Sequence, residues 1–194
     1  MPESTAKRPV VLAVALIVFA AIGLVAAFTL TVEKFALYEH PTEALNCDLS
    51  PFFQCSVNLK SWQGSLFGFP NPLIGLIGWT AVAGVGVGLL AGARFARWFW
   101  VIFNVGVLGA LALVIFLITQ SIFVIGTLCP WCMVTWAVTI PTFLLVTLRN
   151  MRAGVLPGRR IGKVAYSWVP AITVICLIAI AVLAQVRLDA LARI

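Results

Sequence analysis

Apolar residues in this chain come in long blocks separated by short polar breaks. Within a block there is little period-two alternation and little polar face. Such blocks read as helices that are apolar all round, the pattern of a membrane span. Crossing a hydrocarbon core takes about 20 residues of helix. Five blocks meet that length, at about Val10–Thr31, Pro72–Leu90, Trp98–Thr119, Cys129–Leu148 and Trp168–Val186. Backbone polar groups in lipid must be satisfied within their own segment, so helices are the expected form. Val10–Thr31 is too long for a signal-peptide core and is expected to stay as the first span. The polar breaks differ in kind. Val32–Phe69 is a long loop rich in turn residues, Gln120–Leu128 is short and uncharged, and Arg149–Ser167 carries five basic residues.

Composition supports the same picture. Of 194 residues, 62% are hydrophobic and 10% are charged, whereas a soluble domain is about one quarter charged. The length suits one bundle spanning 1–194 without a second domain. A net charge of +7 invites a nucleic-acid partner, but the basic residues are scattered between apolar blocks and form no stripe. Their distribution reports orientation instead. With the N-terminus inside, nine of the 13 basic residues face the cytoplasm: Lys7, Arg8, Arg94, Arg97, Arg149, Arg152, Arg159, Arg160 and Lys163. Lys34, Lys60, Arg187 and Arg193 lie outside, and so does the C-terminus. Most of the seven tryptophans lie near helix ends and read as an interfacial belt.

This topology gathers four cysteines on the outer, oxidising face. Cys47 and Cys55 lie in the long loop, and Cys129 and Cys132 lie at the mouth of the fourth helix. Cys129-Pro130-Trp131-Cys132 places two sulfurs about one turn apart at a helix start, where partial positive charge favours a thiolate. Pro130 suits the first turn, where its missing N–H has no helical partner. A second dithiol nearby permits relay through a mixed disulfide. Three other readings stay open: two static disulfides stapling the loop, a four-thiolate zinc site, and a transporter or channel carrying structural disulfides. The transporter is weakened by the scarcity of intramembrane charge, Asn104 and Gln120 being the notable polar residues in or near the third helix. Cys176, alone in the fifth helix, reads as a small buried hydrophobe, and the lone His40 as a solvated loop residue.

Electrons leaving a dithiol need an acceptor. The sequence shows no Gly-rich nucleotide motif, no histidine pair for haem and no cysteines beyond these for an iron–sulfur cluster. A lipid-soluble quinone remains. Trp136, four residues after Cys132, shares its helix face. Asn71 sits at the mouth of the second helix, where it is either a quinone hydrogen-bond donor or a helix N-cap. Phe67 and Phe69 are either pocket walls or lipid contacts.

The set Cys47-Asp48, Cys55, Ser61-Trp62, Phe67-Gly68, Asn71 and Cys129-x-x-Cys132 resembles the vitamin K epoxide reductase family in its bacterial branch, over roughly Pro9–Leu148. The resemblance implies an all-α membrane protein. A four-helix bundle would surround a quinone beside a fifth helix, under an extracytoplasmic cap with a short surface helix near Val57–Gln63. It implies that Cys47 takes electrons from a partner thiol, Cys55 passes them to Cys129, and Cys132 reduces the quinone. Asp48 would assist electrostatically, Ser61 would hold Cys55 in position, and Asn71 and Phe67 would contact the quinone. Trp136 stands where the family often has Tyr, and an indole N–H donates but does not accept. Many bacterial relatives carry a thioredoxin-like domain after the fifth helix. This sequence ends at Ile194, so a separate thioredoxin-fold dithiol oxidase is the expected partner. The expected acceptor is a respiratory quinone of menaquinone or ubiquinone type, and the expected setting is a bacterial inner membrane.

Overall fold

The computed structural model describes residues 9–42 and 44–188. Lys7, Arg8 and Arg193, three of the residues used above to orient the chain, lie outside the described residues. Seven α-helices follow one another: α1 Val10–Glu39, α2 Cys55–Lys60, α3 Asn71–Leu90, α4 Arg97–Gln120, α5 Pro130–Arg152, α6 Arg159–Ala165 and α7 Val169–Leu188. A π-helical turn, Ser121–Ile125, extends α4, and short 3-10 segments follow α2 (Trp62–Ser65) and α6 (Tyr166–Trp168). Among the described residues, five segments are long and apolar enough to cross a membrane, and they correspond to the five expected blocks.

Helix α1 runs eight residues beyond the expected end at Thr31. Hydropathy falls at Glu33 and Lys34, but the packing period does not. Ala13, Leu16, Ala20, Gly23, Ala27, Leu30, Lys34 and Leu37 alternate spacings of three and four, and all are buried. That heptad seam is the geometry of left-handed helix crossing. Its small residues let α3 approach closely, as small-residue stripes do between membrane helices. Gly23 sits under the Trp79 indole, and Gly86 sits against the Ala13 carbonyl and Ile17. Trp79, mid-helix and buried, is therefore core and not interfacial belt, whereas Trp62, Trp98 and Trp168 are exposed near helix ends.

Helices α3 and α5 pack on α1, α4 packs on α5, and α7 leans on α5 and the π turn from outside the four. Although consecutive, α3 and α4 make little contact with each other. The fifth span begins earlier than the expected Trp168, with α6 turning back along α5. Cys176 is only half-buried, a departure from the expected buried hydrophobe, because α7 is peripheral and presents much of its surface outward.

The end opposite the cysteines is closed by a polar knot. Asn150 is fully buried and donates to the Trp100 carbonyl and to Asn104 Oδ1. Arg149 donates to Asn150 Oδ1 and lays its guanidinium 3.6 Å from the Trp100 ring centroid. Asn104 thus has a structural partner across the α4–α5 interface, and buried carboxamides paired in this way cost little to bury.

Candidate functional site

The loop between α1 and α3 folds over the bundle as a cap. One tie sets its register. Gln54 N–H donates to the Leu128 carbonyl (2.9 Å) and Leu128 N–H donates to the Phe52 carbonyl (2.7 Å), an isolated parallel bridge between Phe53 and Leu128. Cys55 follows Phe53 by two residues, and Cys129 follows Leu128 by one. The bridge therefore brings the two cysteine pairs together, and Cys129 Sγ lies 3.6 Å from Cys55 Sγ. Asn58 reinforces it by donating to Thr127 Oγ1 and to the Gln54 carbonyl while accepting from Ser121 Oγ. Gly126, at φ +76°, closes the π turn, with its N–H donating to the Ser121 carbonyl.

Cys47 and Cys55 form a disulfide, whereas Cys129 and Cys132 are free thiols. All four join one apolar cluster with Leu30, Leu37, Leu45 and Leu59. Cys55 and Cys129 are fully buried, and Cys47 is 5% exposed. Cys129 is the N-cap of α5 and not its first residue. Its Sγ accepts the Cys132 N–H at 3.3 Å, as a serine oxygen would at that position. Cys132, one turn in, faces the cavity described below.

Asp48 acts as a detached cap for α2. Its Oδ1 accepts the Ser56 N–H and its Oδ2 accepts the Leu45 N–H, both at 3.0 Å. A carboxylate at a helix N-terminus is stabilised by the helix dipole. Partial burial pushes the Asp48 carboxyl up, but hydrogen bonds from Ser56, Leu45 and Cys55 outweigh this and hold it below its ordinary value of 3.8. Because the folded value is the lower one, Asp48 stabilises the cap above that ordinary value, and the contribution is lost as pH falls through the folded value. Acidification below about pH 4 is therefore expected to speed reduction of the Cys47–Cys55 disulfide by a small phosphine. Asp48→Asn should show the fast rate already at neutral pH. An acid dependence unchanged in Asp48→Asn would show that another group controls the cap.

Ser61 is the C-cap of α2, the helix that Cys55 begins. Its hydroxyl donates to the Asn58 carbonyl and breaks the surface helix, which occupies Cys55–Lys60 and then a 3-10 turn where a single helix over Val57–Gln63 was expected. Any effect of Ser61 on Cys55 passes through α2. Lys34, buried on the α1 seam, donates to the Leu59 carbonyl at the C-terminal end of α2. Sequence reasoning missed Lys34, although its place in the three-four spacing marks it as inward-facing. Asn71 is the first residue of α3 and not its N-cap: its Oδ1 accepts the Leu66 N–H and its Nδ2 donates to the Gln63 carbonyl.

Beneath the cap lies a cavity of about 670 Å³, within the range of small-molecule sites. Trp136, Asn71, Ser61, Phe67 and Phe69 all line it, as does Cys132. Trp136 is buried, whereas Phe67 and Phe69 are largely exposed and stack on each other with centroids 6.3 Å apart. The lower walls are apolar, contributed by α3 and α4. Gly78, Gly106 and Gly109 border open space there, so the gap between α3 and α4 opens toward the membrane. Among the described residues no cluster of three or more potential metal ligands occurs.

Two touching cysteine pairs, one of them facing an apolar cavity within a membrane-spanning helical bundle, define a membrane thiol–disulfide oxidoreductase. Residues 14–147 match the vitamin K epoxide reductase family, and the chain belongs to that family. No curated protein matches the sequence.

Proposed function

We propose that the protein is a quinone-dependent disulfide-generating enzyme that reoxidises an extracytoplasmic thioredoxin-fold dithiol carrier in a bacterial inner membrane. The observation that carries this reading is the 3.6 Å separation of Cys55 and Cys129 sulfurs, with Cys132 next in line at the cavity. The basic residues Arg94, Arg97, Arg149, Arg152, Arg159, Arg160 and Lys163 lie at the end opposite the cap. This supports a cap that faces outward and a cytoplasmic N-terminus.

A carrier thiolate attacks Cys47 Sγ, and the Cys47–Cys55 bond breaks with Cys55 leaving as thiolate. The second carrier thiolate resolves the mixed disulfide, so the carrier leaves oxidised and Cys47 and Cys55 are left reduced. Cys55 thiolate then attacks Cys129 Sγ of an oxidised Cys129–Cys132 pair, and Cys132 leaves as thiolate toward the cavity. Cys47 attacks Cys55, restores the first disulfide and frees Cys129. The pairs now hold the states seen in the structure: a disulfide at Cys47–Cys55 and a dithiol at Cys129 and Cys132. Each exchange conserves one disulfide and moves two electrons.

The cavity would hold a quinone ring beneath the cap, and its apolar α3 and α4 walls would accommodate a lipid-like tail. Cys129 and Cys132 would close to a disulfide and give up two electrons and two protons, which a quinone held there would take. Trp136 and the second N–H of Asn71, whose first is held by the Gln63 carbonyl, would be the donors on that wall.

The direct test is anaerobic reduction of a soluble menaquinone or ubiquinone analogue with a reduced thioredoxin-fold dithiol as donor. One quinol is expected per donor disulfide formed. A folded protein that reduces neither analogue would refute the reading. In addition, a carrier variant that keeps only its attacking cysteine should form a covalent adduct at Cys47 as the Cys47–Cys55 bond breaks, because no second carrier thiol is present to resolve the mixed disulfide. Adduct formation at any other cysteine would place the entry point elsewhere.

A further inference from the structure

Four carboxamides line the cavity: Asn58, Gln63, Asn71 and Gln120. Three of them already donate within the protein. Asn58 Nδ2 donates to Thr127 and Gln54, and Asn71 Nδ2 donates to the Gln63 carbonyl. Gln63 Nε2 donates to Gln120 Oε1 at 3.0 Å. Gln120 only accepts, and among the described residues its Nε2 has no acceptor. The lining hydroxyls are engaged as well. Thr135, Thr139 and Thr142 donate one turn back along α5, while Ser61 and Ser121 donate to Asn58.

Gln120 is half-buried and borders the cavity, where its amide nitrogen is accessible to a ligand. Gln63 is 4% exposed, and its backbone carbonyl is bound by Asn71. The series Asn71–Gln63–Gln120 therefore joins the start of α3 to the end of α4 across the top of the cavity. With its oxygen held by Gln63, Gln120 has its nitrogen left over for a ligand.

We infer that Gln120 donates a hydrogen bond to a carbonyl oxygen of the bound quinone, with Gln63 as the residue that positions it. This rests on the quinone-reducing reading above. It adds a polar contact from α4, opposite Asn71 on α3, and it assigns Gln63 a role in quinone affinity through the hydrogen bond that holds Gln120.

The experiment uses the full chain in detergent and a short-tailed soluble quinone. Binding is followed by quenching of tryptophan fluorescence, and turnover with a dithiol donor is followed separately. Gln120→Leu is expected to raise both Kd and KM for quinone by about 3- to 10-fold, the loss of one modest hydrogen bond. Reduction of the Cys47–Cys55 disulfide by the donor, measured without quinone, should stay within about twofold of wild type. Gln120→Glu keeps the oxygen that Gln63 binds but loses the donor at neutral pH. Its quinone Kd should fall on acidification as the new carboxyl takes up a proton and becomes a donor, whereas the wild-type Kd stays flat over the same range.

Unchanged quinone Kd in Gln120→Leu, or a pH-independent Kd in Gln120→Glu, would overturn the assignment. A loss of disulfide reduction equal to the loss of quinone affinity would also overturn it and make the pair a structural brace. Wild-type protein that binds and reduces quinone sustains the broader reading whatever the variants do, so the two can fail separately.

Discussion

Cys132→Ser is expected to lower quinone reduction by more than about 1,000-fold, as loss of a covalent relay atom does. The cap should remain intact. The substituted side chain lies on the cavity wall, and the Cys132 N–H that Cys129 Sγ accepts belongs to the backbone and survives the change. The carrier should therefore still exchange with Cys47–Cys55, and one equivalent of carrier should be oxidised in a single turnover before the reaction stops. Rapid quench with thiol alkylation and mass analysis would count that equivalent. Steady turnover in Cys132→Ser would mean that the last sulfur before the acceptor is Cys129, and the order of the relay would have to be rewritten.

Gly23→Val is expected to be the most damaging change far from the cysteines. Any Cβ at position 23 collides with the Trp79 indole across the α1–α3 contact. The clash is with a rigid ring buried between helices, so relief requires α1 and α3 to separate. Overpacking of this kind typically costs about 1–3 kcal/mol, and a branched side chain belongs at the upper end or beyond. The check is thermal unfolding in detergent, with Gly23→Val combined with Trp79→Leu as the second arm. The double variant should recover part of the loss, the signature of two residues in contact. A melting temperature unchanged in the single variant would show that α1 and α3 do not meet as closely as this packing requires.

The five spans were legible because each is a long apolar block, and hydropathy alone defines such a block. The end of α1 was not, because hydropathy stops at Thr31 while the three-four spacing continues through Lys34 and Leu37. A buried lysine satisfied by a carbonyl on a later helix breaks the apolar pattern without breaking the helix. The four cysteines, Asn71, Phe67 and Trp136 were legible as candidates from their spacing and helix positions, and all belong either to the cysteine cluster or to the cavity wall. Their hydrogen bonds were not. Asn71 had the composition of an N-cap, yet it reaches back to Gln63 and Leu66 because the preceding loop folds over it. Ser61 was tied to Cys55 by the family resemblance, and its hydroxyl bond to the Asn58 carbonyl, at the break in the surface helix, was not legible. The Phe53–Leu128 bridge joins segments 75 residues apart through backbone atoms, so no side-chain pattern announces it.

That bridge has a consequence for how the protein coexists with the thiols around it. It fixes Cys55 and Cys129 from the backbone side, and both sulfurs are sealed from solvent. Cys129 is therefore reached only through its neighbours in the cap, whereas Cys132 is half-buried and is reached from the cavity. The inner pair is thus open to exchange at Cys132 from the cavity and at Cys129 only from Cys55. Two cysteine pairs whose sulfurs lie 3.6 Å apart can then hold opposite redox states at once, one a disulfide and the other a dithiol.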